Sequence, residues 1–219
     1  MRPFRLSVRT AGFRPVKTSS TLVGATKPIN FKMIKGNFPP FLSSLILCCI
    51  EHIDMYKSKD IGLADNEVTN RIYLSKRSKF KYLYLRTFPI MVLNYIIIIY
   101  LYFKTGKLFN NTVNLRCMPI NFYTSGDIIY LHKDRDMFHP ERPITDILVI
   151  TLNQKGTSYF NLIRNVESSP DGKQITVLPK STENVYKTKE NTFLMFSNID
   201  SAHELTCISG VRISLTYRR

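Results

Sequence analysis

The 219-residue chain has no tryptophan, and its four cysteines, Cys48, Cys49, Cys117 and Cys207, show no C-x-x-C spacing. That excludes a cysteine zinc site and leaves reduced, structural thiols of an intracellular protein. No internal repeat or low-complexity tract is visible, and no short apolar core with a cleavage site marks a secretory signal. The longest apolar run, Phe88 to Phe103, falls short of the roughly twenty residues that a bilayer span needs, and it holds Pro89 and Asn94. Its β-branched and aromatic content predicts one or two buried strands of a lid and core sheet, with membrane association as the lesser alternative. Acidic residues are scarce as well. Lys and Arg number 31 against 16 Asp and Glu, for a net charge of +15. Residues 1–113 carry 18 basic residues against 5 acids, and residues 114–219 carry 13 against 11. The positive field therefore belongs to the N-terminal half and points to a polyanion, either nucleic acid or an anionic membrane surface.

What is present sorts into three regions. Residues 1–30 hold six basic residues and no acid, the composition of a flexible basic leader or of a mitochondrial transit peptide. The setting expected otherwise is cytoplasmic or nuclear. Residues 31–113 are expected to form a basic helix-and-lid region. After Pro39-Pro40, apolar residues at Leu42, Leu45, Ile46, Cys49, Ile50 and Ile53 follow the spacing of an amphipathic helix. Asp60 to Asn70 reads as a turn. Between Lys76 and Arg86 basic and aromatic side chains interleave, so Lys76, Arg77, Lys79 and Lys81 are candidate phosphate contacts beside rings on which bases could stack. A strand with one solvated face, or the basic flank of a membrane segment, is the alternative reading of that strip.

From Asn114 to Arg219 short strands alternate with turn residues. Strands are predicted at Ile144–Leu152, Thr157–Arg164, Ile175–Leu178, Thr192–Phe196 and Val211–Arg218, with a hairpin turn at Ser168–Lys173. The fold class expected is mainly β: a double-stranded β-helix, or jelly roll, with an N-terminal α/β extension.

One set of residues carries chemistry. His132 and Asp134 are two apart, so on a strand end an imidazole and a carboxylate leave the same face. With a distant histidine, His203, they make the two-His-one-carboxylate triangle that holds Fe(II) and leaves positions open for O2 and a chelating cosubstrate. A dicarboxylic keto acid at such an iron calls for a guanidinium fork. Arg212 and Arg218 both offer one, on the strand face shared by Ser214 and Thr216.

In these residues the chain resembles the AlkB family of Fe(II)/2-oxoglutarate dioxygenases, which oxidatively remove alkyl groups from nucleic-acid bases. The family's N-x-Y and H-x-D-x-D are matched by Asn121, Tyr123, His132, Asp134 and Asp136, and its R-x-N-x-T-x-R by Arg212, Ser214, Thr216 and Arg218. The resemblance covers roughly residues 114–219. It implies iron on His132, Asp134 and His203, 2-oxoglutarate held by Asn121, Tyr123, Arg212, Ser214 and Arg218, and Asp136 facing the base. The implied protein is a monomer acting on single-stranded or flipped bases of DNA or RNA. Ser214 departs from the family's Asn, and the strand before His203 lacks the family's Gly. A hydroxylase acting on a protein substrate, or an inactive basic jelly roll binding nucleic acid or membrane, are the competing readings.

Overall fold

The computed structural model describes residues 33–50, 56–57, 70–72, 80–109, 120–134, 142–168 and 175–219. The leader at 1–30, the turn read at 60–69, the hairpin tip at 169–174, Cys117, Asp136 and Lys76, Arg77 and Lys79 lie outside them. So does the Lys81 side chain. Residues Phe31–Arg219 form one compact unit. In chain order its elements are β1 (Ile34–Asn37), α1 (Pro40–Ile50), β2 (Tyr56–Lys57), β3 (Asn70–Ile72), α2 (Phe80–Thr105), β4 (Ile120–Thr124), β5 (Ile128–His132), β6 (Asp146–Ser168), β7 (Ile175–Lys187), β8 (Thr192–Ser197) and β9 (Ser201–Arg218).

All paired strands described are antiparallel, in the order β1-β8-β6-β9-β4-β3-β2, with β5 also on β9 and β7 also on β6. β6 and β9 are long enough to serve two layers. Their outer ends pair as Ile147↔Arg218 through Thr151↔Ser214, between β8 and β4. Their turn-proximal ends pair as Ser158↔Cys207 through Arg164↔Ser201, between β7 and β5. Ile147 and Val149 of the first layer pack with Phe160, Leu162 and Leu205 of the second, so the layers face each other across one core. This is the jelly-roll arrangement.

The bend falls where Gly156 and Gly210 meet, both at positive φ. A Cβ on either would run into the backbone of the opposite strand, so only glycine fits. Two bulges flank it. Leu152 is the extra residue between Thr151 and Asn153 on β6, and Ile208 is the extra residue between Cys207 and Ser209 on β9. Each bulge switches which parity faces inward. On β9, the Leu205 and Cys207 side chains point into the core before the bulge, whereas Arg212, Ser214 and Thr216 are the buried inner set after it. Three expectations are corrected here. Ile144–Leu152 and Thr157–Arg164 are one strand, the strand predicted at Val211–Arg218 starts at Ser201 and carries His203 as well as Arg212, and the strand predicted at Ile175–Leu178 runs on to Lys187.

The predicted strands at Phe88–Phe103 are also corrected: the segment is helical, within α2. Four consecutive isoleucines oppose a helix by only about 0.4 kcal/mol each. Against that, Leu93, Ile97, Ile98 and Leu101 recur at helical spacing and are all buried on the outer face of the first layer, against Leu148, Ile150, Leu215 and Tyr217. Burial of each is worth roughly 1.5–3 kcal/mol, so packing wins. A strand would have put Ile97 and Ile98 on opposite faces. Asn94 is buried in that stripe because its Oδ1 accepts the Tyr217 hydroxyl at 2.8 Å. Gly106, in the left-handed region, ends the helix by returning its N–H to Tyr102 at 2.8 Å. Helix α1 starts at Pro40, where the missing N–H costs nothing.

Candidate metal centre and cosubstrate cleft

Between the layers lies a cleft that communicates with solvent. β5 and β9 bring the two histidines into it as direct cross-strand partners, His132↔His203. Simple continuation from Ile129↔Leu205 would pair His203 with Leu131. A bulge between Ile129 and His132 shifts the register and aims His132 inward. The rings then lie 4.2 Å apart, and His203 stacks on Phe160 with Phe196 at its edge.

Ligand atoms of His132, Asp134 and His203 all lie within 4.8 Å of one another. The His132 Nδ1 is 2.6 Å from the Tyr130 carbonyl. A carbonyl only accepts, so Nδ1 carries a proton, and Nε2 is the atom that faces Asp134 Oδ1, 3.4 Å away. Burial alone would raise the Asp134 carboxyl; the Arg218 guanidinium, with His132 and His203, outweighs it and holds the group well below the usual carboxylate range. Arg218 Nε donates to Asp134 Oδ2 at 2.7 Å.

Asp134 stands beyond the end of β5, where no ladder fixes its backbone. The Asn198 side chain takes over that role. Its Oδ1 accepts from the Asp134 N–H at 3.1 Å, and its Nδ2 donates to the Asp134 carbonyl at 2.8 Å and the Ile144 carbonyl at 3.1 Å. Between His132 and Asp134 in sequence, the Lys133 ammonium ties the loop to the Val166 and Ile199 carbonyls.

Arg212 forms the buried end of the cleft. It sits over the Tyr123 ring, its cross-strand partner, at 5.2 Å. It donates to Ser214 Oγ at 3.0 Å and to Thr151 Oγ1 at 3.1 Å. Its Nε has no hydrogen-bond partner among the described residues. Burial lowers its affinity for the proton, countered by Tyr123. Asn121 lines the same wall, donating to Thr216 Oγ1 at 3.1 Å.

The cleft thus gathers Asn121, Tyr123, His132, Asp134, His203, Arg212 and Arg218, with Ser214 buried beside Arg212. Arg212 closes the buried end, and Arg218 is engaged by Asp134. Sequence reasoning missed Asn198, Thr151 and Phe160. Asn198 sits in a turn with no motif around it, and only its contacts reveal it.

No family model matches the chain, and comparison with curated proteins gives no match. Solved structures do resemble it. A prolyl-4-hydroxylase from Pseudomonas putida superposes with TM-score 0.52 at 12% identity, covering 87% of this chain and 94% of its own. A 2OG-Fe(II) oxygenase family oxidoreductase from Burkholderia pseudomallei gives 0.48 at 15%, covering 87% and 85%. OsALKBH1 gives 0.46 at 13%, covering 85% and 97%. The first of these likenesses identifies the fold: this chain has the jelly-roll fold of a known prolyl-4-hydroxylase.

Proposed function

We propose that the chain is an Fe(II)/2-oxoglutarate-dependent dioxygenase that removes alkyl groups from bases in nucleic acid. The observation that carries this reading is the convergence of His132, Asp134 and His203 in a cleft that ends on the buried Arg212. The donor set fits a mononuclear Fe(II): two imidazoles and a carboxylate held ionised. The unpartnered Arg212 Nε fits a cosubstrate carboxylate, since a buried donor left unpaired costs about 1–3 kcal/mol.

His132, Asp134 and His203 would hold the metal, and Arg212, with Ser214, Asn121 and Tyr123 around it, would hold the far carboxylate of 2-oxoglutarate. Arg218 keeps Asp134 charged and turned toward the metal position. When bound, iron with O2 and 2-oxoglutarate supplies hydroxylation of an N-alkyl carbon, with succinate and carbon dioxide as co-products and loss of the alkyl group as an aldehyde. Phe160, Val149 and Leu205 make the adjoining wall apolar and keep bulk water from the reacting carbon.

The substrate rests on the spacing of Asn121, Tyr123, His132, Asp134, Asp136, Arg212 and Arg218 and on the basic N-terminal half. Lys76, Arg77, Lys79 and Lys81 are proposed as phosphate contacts and Asp136 as a base contact, on a flipped or single-stranded base. The fold alone serves more than one substrate class. Anaerobic loading with Fe(II) and 2-oxoglutarate, then succinate release on adding alkylated oligonucleotides or a proline-containing peptide, tests the reading. Stimulation by the peptide alone overturns the nucleic-acid substrate, and full turnover in His132→Ala overturns the iron assignment.

A further inference from the structure

We infer that the outer face of α2 docks on an anionic lipid surface. Among the described residues, the fold uses one side of this helix. Opposite the stripe on the sheet, Val92, Tyr95, Ile96, Ile99, Tyr102 and Phe103 recur at helical spacing and all face outward, Ile99 at 55% exposure and Phe103 at 80%. On the other helix Phe41 and Leu45 are exposed too. A helix apolar all round is ordinarily enclosed on every side, and a continuous apolar stripe of this kind marks a contact surface.

The charge of the sequence that carries α2 selects the occupant. Apart from Lys76, Arg77, Lys79 and Lys81, the sequence from Val68 to Gly126, which contains α2, has five Lys and Arg, of which Lys107 pairs with Asp146, and no Asp or Glu. Lys104 is exposed beside Phe103, in the last helical turn. Nucleic acid would satisfy the cations but leave isoleucine and phenylalanine in water. A second copy would cover the stripe but bring a like-charged segment against it. An anionic bilayer surface satisfies both, taking the apolar side chains and tyrosine rings at the headgroup boundary and the cations against the phosphates. The mode is surface docking. No helix among the described residues is long and apolar enough to cross a membrane, and the inner side of α2 is already committed to Leu148, Ile150 and Tyr217. Because α2 covers the outside of the first layer and the cleft opens between the layers, docking and catalysis use different surfaces. The inference therefore stands apart from the reaction proposed above.

The test is co-sedimentation of the full chain with phosphatidylcholine vesicles, with and without phosphatidylserine. Binding is expected only with phosphatidylserine, falling as salt rises. Ile99→Glu with Phe103→Glu, both at exposed positions, is expected to lower binding by about tenfold or more, and Lys104→Ala by about fivefold, the factor of one cation at an anionic surface. Circular dichroism checks that the variants stay folded. Binding that is equal on both vesicle types, absent from both, or untouched by the double variant overturns the inference. So does a concentration-dependent dimer, seen by light scattering, that the double variant dissolves.

Discussion

Arg218 Nε and Asp134 Oδ2 are 2.7 Å apart, both largely buried, so a strand-end arginine is ion-paired to one of the three residues placed to hold a metal. Because this pair opposes the burial of the carboxylate, its loss has a defined pH signature. A carboxyl whose folded value is depressed contributes stability above its unfolded value, and that stability is lost as pH falls through the folded value. Arg218→Ala removes the largest influence holding Asp134 down, so the acid limb of stability should move to higher pH. Near neutrality the cost should be about 3 kcal/mol, since a buried carboxylate loses its guanidinium partner. Urea midpoints of the metal-free protein from neutral to acid pH measure both, and superimposable curves for wild type and variant would sink the argument.

Asn198 fixes Asp134 through the backbone alone, which predicts a split between two substitutions. Asn198→Ala removes all three hydrogen bonds, and Co(II) affinity, followed by visible absorption, should fall about tenfold or more. Asn198→Asp keeps an acceptor for the Asp134 N–H but cannot donate to the Asp134 and Ile144 carbonyls, so it should not restore binding. Full rescue by Asp would show that the donor contacts are unimportant.

The buried end of the cleft is specific to a fork. Arg212→Lys keeps a cation but cannot reach Ser214, Thr151 and a ligand carboxylate at once. The concentration of 2-oxoglutarate needed for half-maximal uncoupled succinate release should rise about tenfold or more, at roughly 1.5–3 kcal/mol per charged hydrogen bond. Metal affinity should stay unchanged, because Arg212 makes no described contact with His132, Asp134 or His203. An unchanged 2-oxoglutarate requirement would move the cosubstrate elsewhere.

The hydroxyl of Tyr217 lies on the opposite face of β9 and ties it to Asn94 of α2. Tyr217→Phe should cost about 1 kcal/mol of stability and leave Co(II) and 2-oxoglutarate binding as in wild type. A loss of binding in this variant would mean that the helix layer and the cleft are coupled through β9.

The cleft was more legible than the framework around it. The same-face spacing of His132 and Asp134 and the paired forks of Arg212 and Arg218 could be read directly, and the family resemblance added Asn121 and Tyr123. The strand ends at Leu152 and Thr157 were misread for a physical reason. A bulge reverses the inside-outside alternation, and a reversal looks like an interruption when only alternation is available. In α2, the β-branched run between Ile96 and Ile99 favoured strand, and the deciding fact was tertiary: a sheet face waiting for residues at helical spacing. Asn198 had no local signature at all. Its role depends on a loop 64 residues away.

The extra residue Ile208 has a further consequence. His203 and Arg212 are nine positions apart, an odd number, and on an uninterrupted strand they would face opposite ways. The single bulged residue is what lets one strand deliver both an imidazole and a guanidinium to the same cavity. Deleting or adding one residue between them would turn one of the two out of the protein without changing its identity. Changes of length are therefore compatible with the loops around this strand and not with the stretch between His203 and Arg212, where the count of residues is itself part of the candidate site.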